Sequence, residues 1–471
     1  MSPRRPFLFP TGMILLGILL SQPSPALSLV DALQLAQQQD PTLAGSRASF
    51  QAAQARLSQS VAQLKPQVSL SGTNQWNHRN YTTLNTPDSP FPTPPQVENF
   101  SSRTAQLTLD QPLWRRANHI AVLESRWASE QSQSEMRAAS QDMMVRLLQG
   151  WFDFMLAADD VSASEQKIAA ARLFWEQARK AAQVTLIGPE KLEEAHSKFE
   201  LAVAERMDGL TEEDTARATL EQIIGNLEPF EPPSLPDDFI FPAPTAGELD
   251  GWLARTDTGP LVEAAREARL AADQEIRKQE AGHGLTVDLI GNLTRNYQPQ
   301  GNFPGQEGYD IKERSVGLQV ALPLYSGGGT SAKVREAVAL RNKADQDLLS
   351  ASRKARATAQ VSWSGWRSGC VKMRAAQQAV HAAAVALEVA ASGSNQGLKF
   401  ELDVLEARQN LLEAWRDLQK ARYGAIMSWV KLKAVAGELG EDDVRELQQH
   451  MVARAAAATP PGPASDAPAT R

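Results

Sequence analysis

Cysteine is almost absent from this chain: there is one, Cys370, among 471 residues. A single thiol excludes an intrachain disulfide and leaves no cysteine-based zinc site. Inside a helical pattern it reads as a small buried or half-buried side chain. The six histidines (His78, His119, His196, His283, His381, His450) are scattered, with no two at ligand spacing, so no metal and no cofactor are expected. Charge of one sign is also missing. A net charge of −7 on this length, with no long run of either sign, argues against a nucleic-acid partner. Beyond the N-terminus no stretch offers about 18 consecutive apolar residues, so no transmembrane helix is expected. No nucleophile, base and orienting group stand together, so no enzyme is expected either.

What is present begins with an export signal. Arg4 and Arg5 precede an apolar run from Met13 to Leu20, then Pro23, Pro25 and the small-residue site Ala26-Leu27-Ser28. Charged, apolar and small in that order is a secretory signal, assigned to residues 1–28, with cleavage after Ser28 or alternatively after Ala26. No cysteine follows, which argues against lipid attachment. An exported chain without a spanning helix is either free in the exported compartment or inserted in a membrane as a β-barrel.

The chain is duplicated. Ser315 to Tyr325 reads SVGLQVALPLY, and Thr104 to Trp114 reads TAQLTLDQPLW, with Pro112 and Pro323 in matching places. Apolar residues alternate with small or polar ones in both, the period of a strand with one apolar face. Each copy is preceded by another alternating stretch (Val68 to Trp76, Leu285 to Tyr297) and a loop rich in turn residues (77–102, 298–308). Each is followed by a very long helical pattern. From Arg115 to Thr185 there is no proline and one glycine, Gly150, which predicts a single helix roughly 100 Å long. Such a helix needs neighbours of equal length. Helices over 31–64, interrupted at Asp40-Pro41, and over 190–225 would together flank it end to end.

The second half repeats the plan, with helices over 247–281, 330–395 and 400–439, and Gly437 answering Gly225. The repeats span 29–227 and 247–440. A Pro-rich stretch at 228–246 reads as a linker, and 441–471 as a C-terminal extension with a disordered end after Ala455. The Ser326-Gly327-Gly328-Gly329-Thr330 turn lacks the Gly-Lys-Ser/Thr ending of a phosphate loop and reads as a strand-to-helix hinge.

Each repeat supplies two strands. Four strands cannot close a barrel that hides its edges from lipid, so oligomerisation is implied, and three chains giving twelve strands is the natural solution. Trp114 and Tyr325 fall at the helix-facing end of the strands, and Trp76 and Tyr297 at the loop end. Aromatics at both rims of an apolar band fit membrane-interface girdles, with lipid on one face and an aqueous lumen on the other. The alternative is aromatic packing in a soluble β-sandwich.

At this point the residues resemble a family, the TolC-like outer-membrane factors of Gram-negative bacteria, over essentially the whole mature length. The resemblance is carried by ALQLAQQQDPTL near the start, LKPQVSL, LTLDQPLW, LQVALPLY, GWFDFMLAADDV (150–161) and DVLEARQNLLEAWRDLQKARY (403–423). It implies a mainly α fold with a transmembrane β-barrel, twelve-stranded in a homotrimer and continuous with a periplasmic α-helical barrel. It further implies a passive exit duct in the outer membrane lipid that meets a periplasmic adaptor and an inner-membrane pump or ABC transporter, for efflux or type I secretion. The runner-up is a periplasmic coiled-coil adaptor or scaffold without a channel.

Asp403 and Glu406 lie three apart, on one face of a helix near its N-terminus, where carboxylates are favoured. Repeated by symmetry they would make an acidic, cation-favouring ring. The alternative is solvated capping acids. The resemblance implies that this DVL segment gates the periplasmic entrance, with Lys399 as a basic partner; Ser394 stands where the family commonly has a tyrosine. It also implies adaptor docking at the turns marked by Gly188 in the first repeat and by Gly397 and Leu398 in the second. The first of these turns, Gly188-Pro189-Glu190-Lys191-Leu192, is short and has no aspartate in register.

Overall fold

The structure is a computed structural model that describes residues 27–80, 97–184, 187–226, 230, 232–236, 238–245, 247–301, 306–395 and 401–452. Residues 1–26, which hold most of the expected signal, and residues 81–96, 302–305, 396–400 and 453–471 lie outside them.

The first repeat runs α1 (Leu29–Gln39), α2 (Pro41–Ala62), β1 (Gln67–Asn80), β2 (Val97–Arg115), α3 (Arg116–Gln183) and α4 (Pro189–Ile224). The second runs α5 (Leu249–Thr256), α6 (Pro260–Ala281), β3 (Thr286–Gln300), β4 (Glu307–Ala321), α7 (Gly329–Asn395) and α8 (Glu401–Ala436), and α9 (Glu441–Gln449) follows. One expected helix, 247–281, is two. Gly259 and Pro260 divide it as Asp40 and Pro41 divide 31–62, because proline fits the first turn of a new helix but not the interior of an old one. The strand read over 315–325 stops at Ala321. Pro323 has no N–H to give a ladder, and Gly327 and Gly328 then turn the chain with φ of 61° and 84°.

At about 1.5 Å per residue, the 68 residues of α3 make a rod of roughly 100 Å. It packs along α2 and α4 in its own repeat and along α6 and α8 from the other, while α7 packs along α6 and α8. The halves of each flanking pair meet end to end. Gly225, at the end of α4, has a φ of 82°, and a Cβ there would lie 1.9 Å from Gln39 Oε1 at the end of α1. Gly437, at the end of α8, has a φ of 77° and would crowd Pro260 Cδ at 2.6 Å. Glycine is needed at both places because the chain turns left-handed against a second helix end.

The core sits at this joint. Between Met143 and Met155, α3 is buried nearly all round: Met143, Leu147, Leu148, Trp151, Phe152, Phe154 and Met155 are all at most 1 % exposed. The partners come from both repeats, including Leu29 and Leu33 of α1, Ile224 of α4, Trp363 and Cys370 of α7, and Ile426 and Val430 of α8. The stretch read as a linker takes part too. Leu235, Phe239 and Phe241 are buried, and Ser234 exchanges backbone hydrogen bonds of 2.9 Å with Val452 beyond α9. Val444 and Leu447 of α9 close the same cluster. Each such side chain contributes about 1.5–3 kcal/mol by leaving water, so the apolar joint is the chief stabilising feature of the helical part.

An ion pair guards each break. Asp40 caps α2 by accepting from the Leu43 N–H at 2.8 Å, and its two carboxylate oxygens accept from Arg146 of α3 at 3.0 and 3.2 Å. In the second repeat Asp257, at the end of α5, accepts from Arg356 Nε of α7 at 2.9 Å. Burial alone would raise the Asp40 pKa, but Arg146 and the N–H groups of Leu43 and Thr42 outweigh it and hold the carboxyl below its ordinary value.

Replacing Asp40 by Ala removes a cap and a charge-assisted pair, an expected loss of about 2–4 kcal/mol. Asp40→Asn keeps the cap and loses the pair. Because the folded pKa is depressed, the stabilisation is present at neutral pH and is lost as pH falls through the folded value, below 3.8. Thermal melts of the detergent-solubilised protein by circular dichroism should show wild type above Asp40→Asn at pH 7, with the gap closing below pH 4.

Candidate functional site: the channel wall

The four strands form one antiparallel sheet in the order β1-β2-β3-β4. Register decides which side chains share a face. Leu70 pairs with Leu107 and Leu107 with Leu293; Val68 pairs with Leu109; Leu289 pairs with Leu318 and Val287 with Val320. These residues, with Val316, make one apolar face, and Leu70, Val316 and Leu318 are 77, 80 and 65 % exposed in the single chain. The opposite face carries Ser69, Ser71 and Thr73, then Thr104, Gln106, Thr108 and Asp110, then Asp288, Asn292 and Thr294, then Glu313, Ser315 and Gln319. Ile290, Ile311 and, toward the loop end, the buried Phe100 are its large apolar exceptions among the described residues. Gln106 Nε2 donates to Thr108 Oγ1 at 3.2 Å on this polar side. A strand sorted in this way has lipid on one side and water on the other.

A bulge completes the sorting. Pairing runs Pro112 to Asp288 and then Trp114 to Val287, leaving Leu113 as an extra residue. By strict alternation Trp114 would join Asp110 on the polar face. The bulge moves it to the apolar face beside Val287, where it is 56 % exposed. The other predicted interface aromatics are also exposed: Trp76 at 76 %, Tyr297 at 42 % and Tyr325 at 89 %. Trp76 and Tyr297 share the apolar face at the loop end. Tyr325 lies past the end of β4, between barrel and helix. From Val287 to Tyr297 is about 33 Å of strand, which at a tilt near 45° spans roughly 25 Å, the height of an outer-membrane apolar band.

The two edges are open. β1 is exposed along its first ten residues and β4 at all but one position, whereas the central strands are mostly half-buried. At the helix-facing rim of the polar side, Arg115 donates from Nε and Nη2 to Asp288 at 2.7 and 2.9 Å and lies 3.7 Å from Asp110. This cluster locks the β2–α3 junction to β3. Arg115 and Asp288 are 173 residues apart, so no local sequence pattern shows their pairing.

At the far end of the helices the picture is partial. Asp403 is half-buried and Glu406 exposed in the first two turns of α8, which begins at Glu401. Gly397, Leu398 and Lys399 fall outside the described residues. Gly188 precedes α4 in extended backbone, with Pro189 in the first helical position, so the first-repeat turn is a tight helix start. Between the halves, Tyr423 of α8 donates to Asp159 Oδ2 at 3.3 Å and Arg416 lies 2.7 Å from Asp160 Oδ2. Burial pushes the Asp160 carboxyl up by more than Arg416 draws it down. The signal was in the sequence, as two adjacent acids ending the apolar run GWFDFMLAADD.

No described helix is long and apolar enough to cross a membrane. An amphipathic sheet with open edges, rooted in helices of about 100 Å, defines a protomer of an outer-membrane channel. Residues 32–226 and 257–438 match the family model of the outer membrane efflux protein, and the chain belongs to that family. It resides in the outer membrane, with its helices in the periplasm. It is 28 % identical over 436 residues to the proteases secretion protein PrtF of Dickeya chrysanthemi, covering 90 % of each chain. It is 26 % identical to the alkaline protease secretion protein AprF of Pseudomonas aeruginosa, covering 92 % of this chain and 89 % of that one. Among solved structures it resembles the CmeC outer membrane channel of Campylobacter jejuni, with a TM-score of 0.71, 17 % identity and coverage of 90 and 89 %.

Val316 and Ser315 are neighbours on opposite faces near mid-band. Val316→Arg would place a cation in hydrocarbon at about 2–4 kcal/mol per chain, and little of this variant should reach outer-membrane fractions. Ser315→Arg should insert normally and alter single-channel conductance.

Proposed function

We propose that three copies of this chain close a twelve-stranded barrel and form a passive exit duct, energised by an inner-membrane transporter through a periplasmic adaptor. The single observation that carries this reading is the four-stranded sheet with one apolar face, one polar face and two unpaired edges. Neither edge is tolerable in lipid until another copy covers it. Three copies give an even strand number in the range of outer-membrane barrels, with a lumen lined by Ser, Thr, Asn and Gln. The duct has no catalytic role of its own.

The cargo reading is protein export of the type I kind, supported by the likeness to PrtF and AprF, whose names are those of protease secretion proteins. Asp403 and Glu406, repeated by symmetry, form an acidic ring at the periplasmic entrance, with Lys399 beside it. The turns at Gly188 and at Gly397 and Leu398 meet the adaptor. The supporting observation is the position of both acids in the opening turns of α8, where α7 and α8 turn back at the end remote from the sheet.

Two measurements test the assembly and the gate. The purified protein should require detergent and run in mild SDS as a trimer that heating dissociates; a monomer soluble without detergent sinks the reading. In planar bilayers Asp403→Ala with Glu406→Ala should lower cation-over-anion selectivity severalfold, and unchanged selectivity removes both residues from the gate.

The signal peptide is proposed to end at Ala26, the second of the two sites considered. Ser28 accepts from the Asp31 N–H at 3.1 Å as the cap of α1, and Leu27 packs on the core, which supports keeping both in the mature chain. Mass analysis of the mature N-terminus should find Leu27 first.

A further inference from the structure

The six lysines and arginines of the strands are unevenly placed. Arg79 and Arg115 point to the luminal side, and each meets an acid there, Glu98 at 3.6 Å and Asp288 at 2.7 Å. The other four, Arg103, Arg295, Lys312 and Arg314, fall on the lipid face. Arg103 pairs across the ladder with Tyr297, Arg295 with Lys312, and Leu293 with Arg314, so the four cations sit in three consecutive rows of that face. Arg295 is held by Asp310 in a two-pronged pair of 2.8 and 3.0 Å. Arg103, Lys312 and Arg314 are exposed and make no salt bridge among the described residues.

Their height in the membrane follows from the same register. The rows fill the half of the apolar band remote from the helices, from the level of Tyr297, just below Trp76, inward to that of Leu293. Aromatics mark the headgroup level. Long basic side chains beside them extend their charge into that layer. The periplasmic margin of the lipid face, formed by Trp114, Val287 and Val320, carries no lysine or arginine in its strands. A cationic patch confined to the outward half of the band, whose long side chains reach toward the headgroups, fits an anion confined to the outer leaflet.

We propose that Arg103, Lys312 and Arg314 bind the phosphate groups of an anionic glycolipid of the outer leaflet, of the bisphosphorylated lipid A type. Guanidinium forks donate paired N–H bonds to phosphate oxygens, and an ammonium adds a compact charge between them. Arg295, held by Asp310, lies among them as a neutral pair. Three phosphate seats per trimer follow, each beside a β4 edge that a neighbouring copy covers, so bound lipid braces the contact between copies.

The proposal rests on the assignment of the apolar face to lipid, and the test separates the two. Trimers of wild type, of Arg103→Gln/Lys312→Gln/Arg314→Gln, and of Lys343→Gln, which loses an exposed cation on α7, are purified in mild detergent. Trimer formation and bilayer conductance are measured first. Bisphosphorylated lipid A should raise the trimer dissociation temperature of wild type and Lys343→Gln by roughly 5 °C and leave the triple variant unmoved. Dephosphorylated lipid A and inorganic phosphate should raise none of the three. An equal rise in the triple variant, no rise in wild type, or the same rise with dephosphorylated lipid overturns the proposal, as does a full effect of inorganic phosphate. Should the triple variant fail to assemble, the wild-type comparison of phosphorylated with dephosphorylated lipid decides alone.

Discussion

Unpaired backbone at a sheet edge is the constraint from which the rest follows. Water satisfies the free N–H and C=O groups of an edge strand at no great cost; hydrocarbon cannot, and each unmet group costs several kcal/mol. The outer edges of β1 and β4 run 14 and 15 residues, so a lone sheet of this kind has no stable place in a bilayer. Closure by further copies removes the edges. It also makes the single chain an incomplete object, and the exposed Leu70, Val316 and Leu318 are the mark of a surface made for lipid and not for a core.

The helical part answers a different problem with the same economy of means. A rod of 68 residues cannot stand alone in water, and two half-length helices laid end to end give it company along its whole length. The weak point of that solution is the joint, where four helix ends meet and leave orphan backbone groups. The structure concentrates its resources there. Asp40 and Asp257 tie the breaks to arginines of the long helices, Gly225 and Gly437 turn the chain, and α3 presents Trp151, Phe152, Phe154 and Met155 to neighbours on every side. The segment between the repeats and α9 after them seal the remaining flank.

Much of this was readable from residues alone, because period, length and repetition are local properties. Alternation over Val68 to Trp76 and Thr104 to Trp114 gave the strands, and the missing proline between 115 and 185 gave the rod. The failures are equally physical. The strands run farther than predicted because β1 and β2 continue as HRN and VENFSSR, where Val97 and Phe100 are the only apolar residues and regular alternation vanishes. Trp114 changes face through a bulge, which is a property of pairing and not of one strand. The break at Gly259 and Pro260 falls inside one expected helix, although the first repeat carries its counterpart at Asp40 and Pro41. Phe239 and Phe241 lay in a Pro-rich stretch that composition marked as a linker, and only the aromatic residues themselves argued for burial. The expected docking turn with Gly397, Leu398 and Lys399 lies outside the described residues, so its reading rests on resemblance.

The two repeats carry the chain from strand to helix in unlike ways. In the first, β2 passes into α3 without interruption, and Arg115 pins the passage to Asp288 on the neighbouring strand and to Asp110 on its own. In the second, β4 ends before Pro323, and Gly327 and Gly328 occupy left-handed backbone before α7 begins. A bidentate ion pair fixes direction, whereas two glycines with positive φ allow the backbone to take a bend that other residues resist. The need is geometric. Strands tilt by about 35–45° in a barrel while the helices run on beside one another, and duplicated halves of one chain occupy unequal positions around the wall. One junction therefore sets the angle between barrel and tunnel, and the other accommodates it.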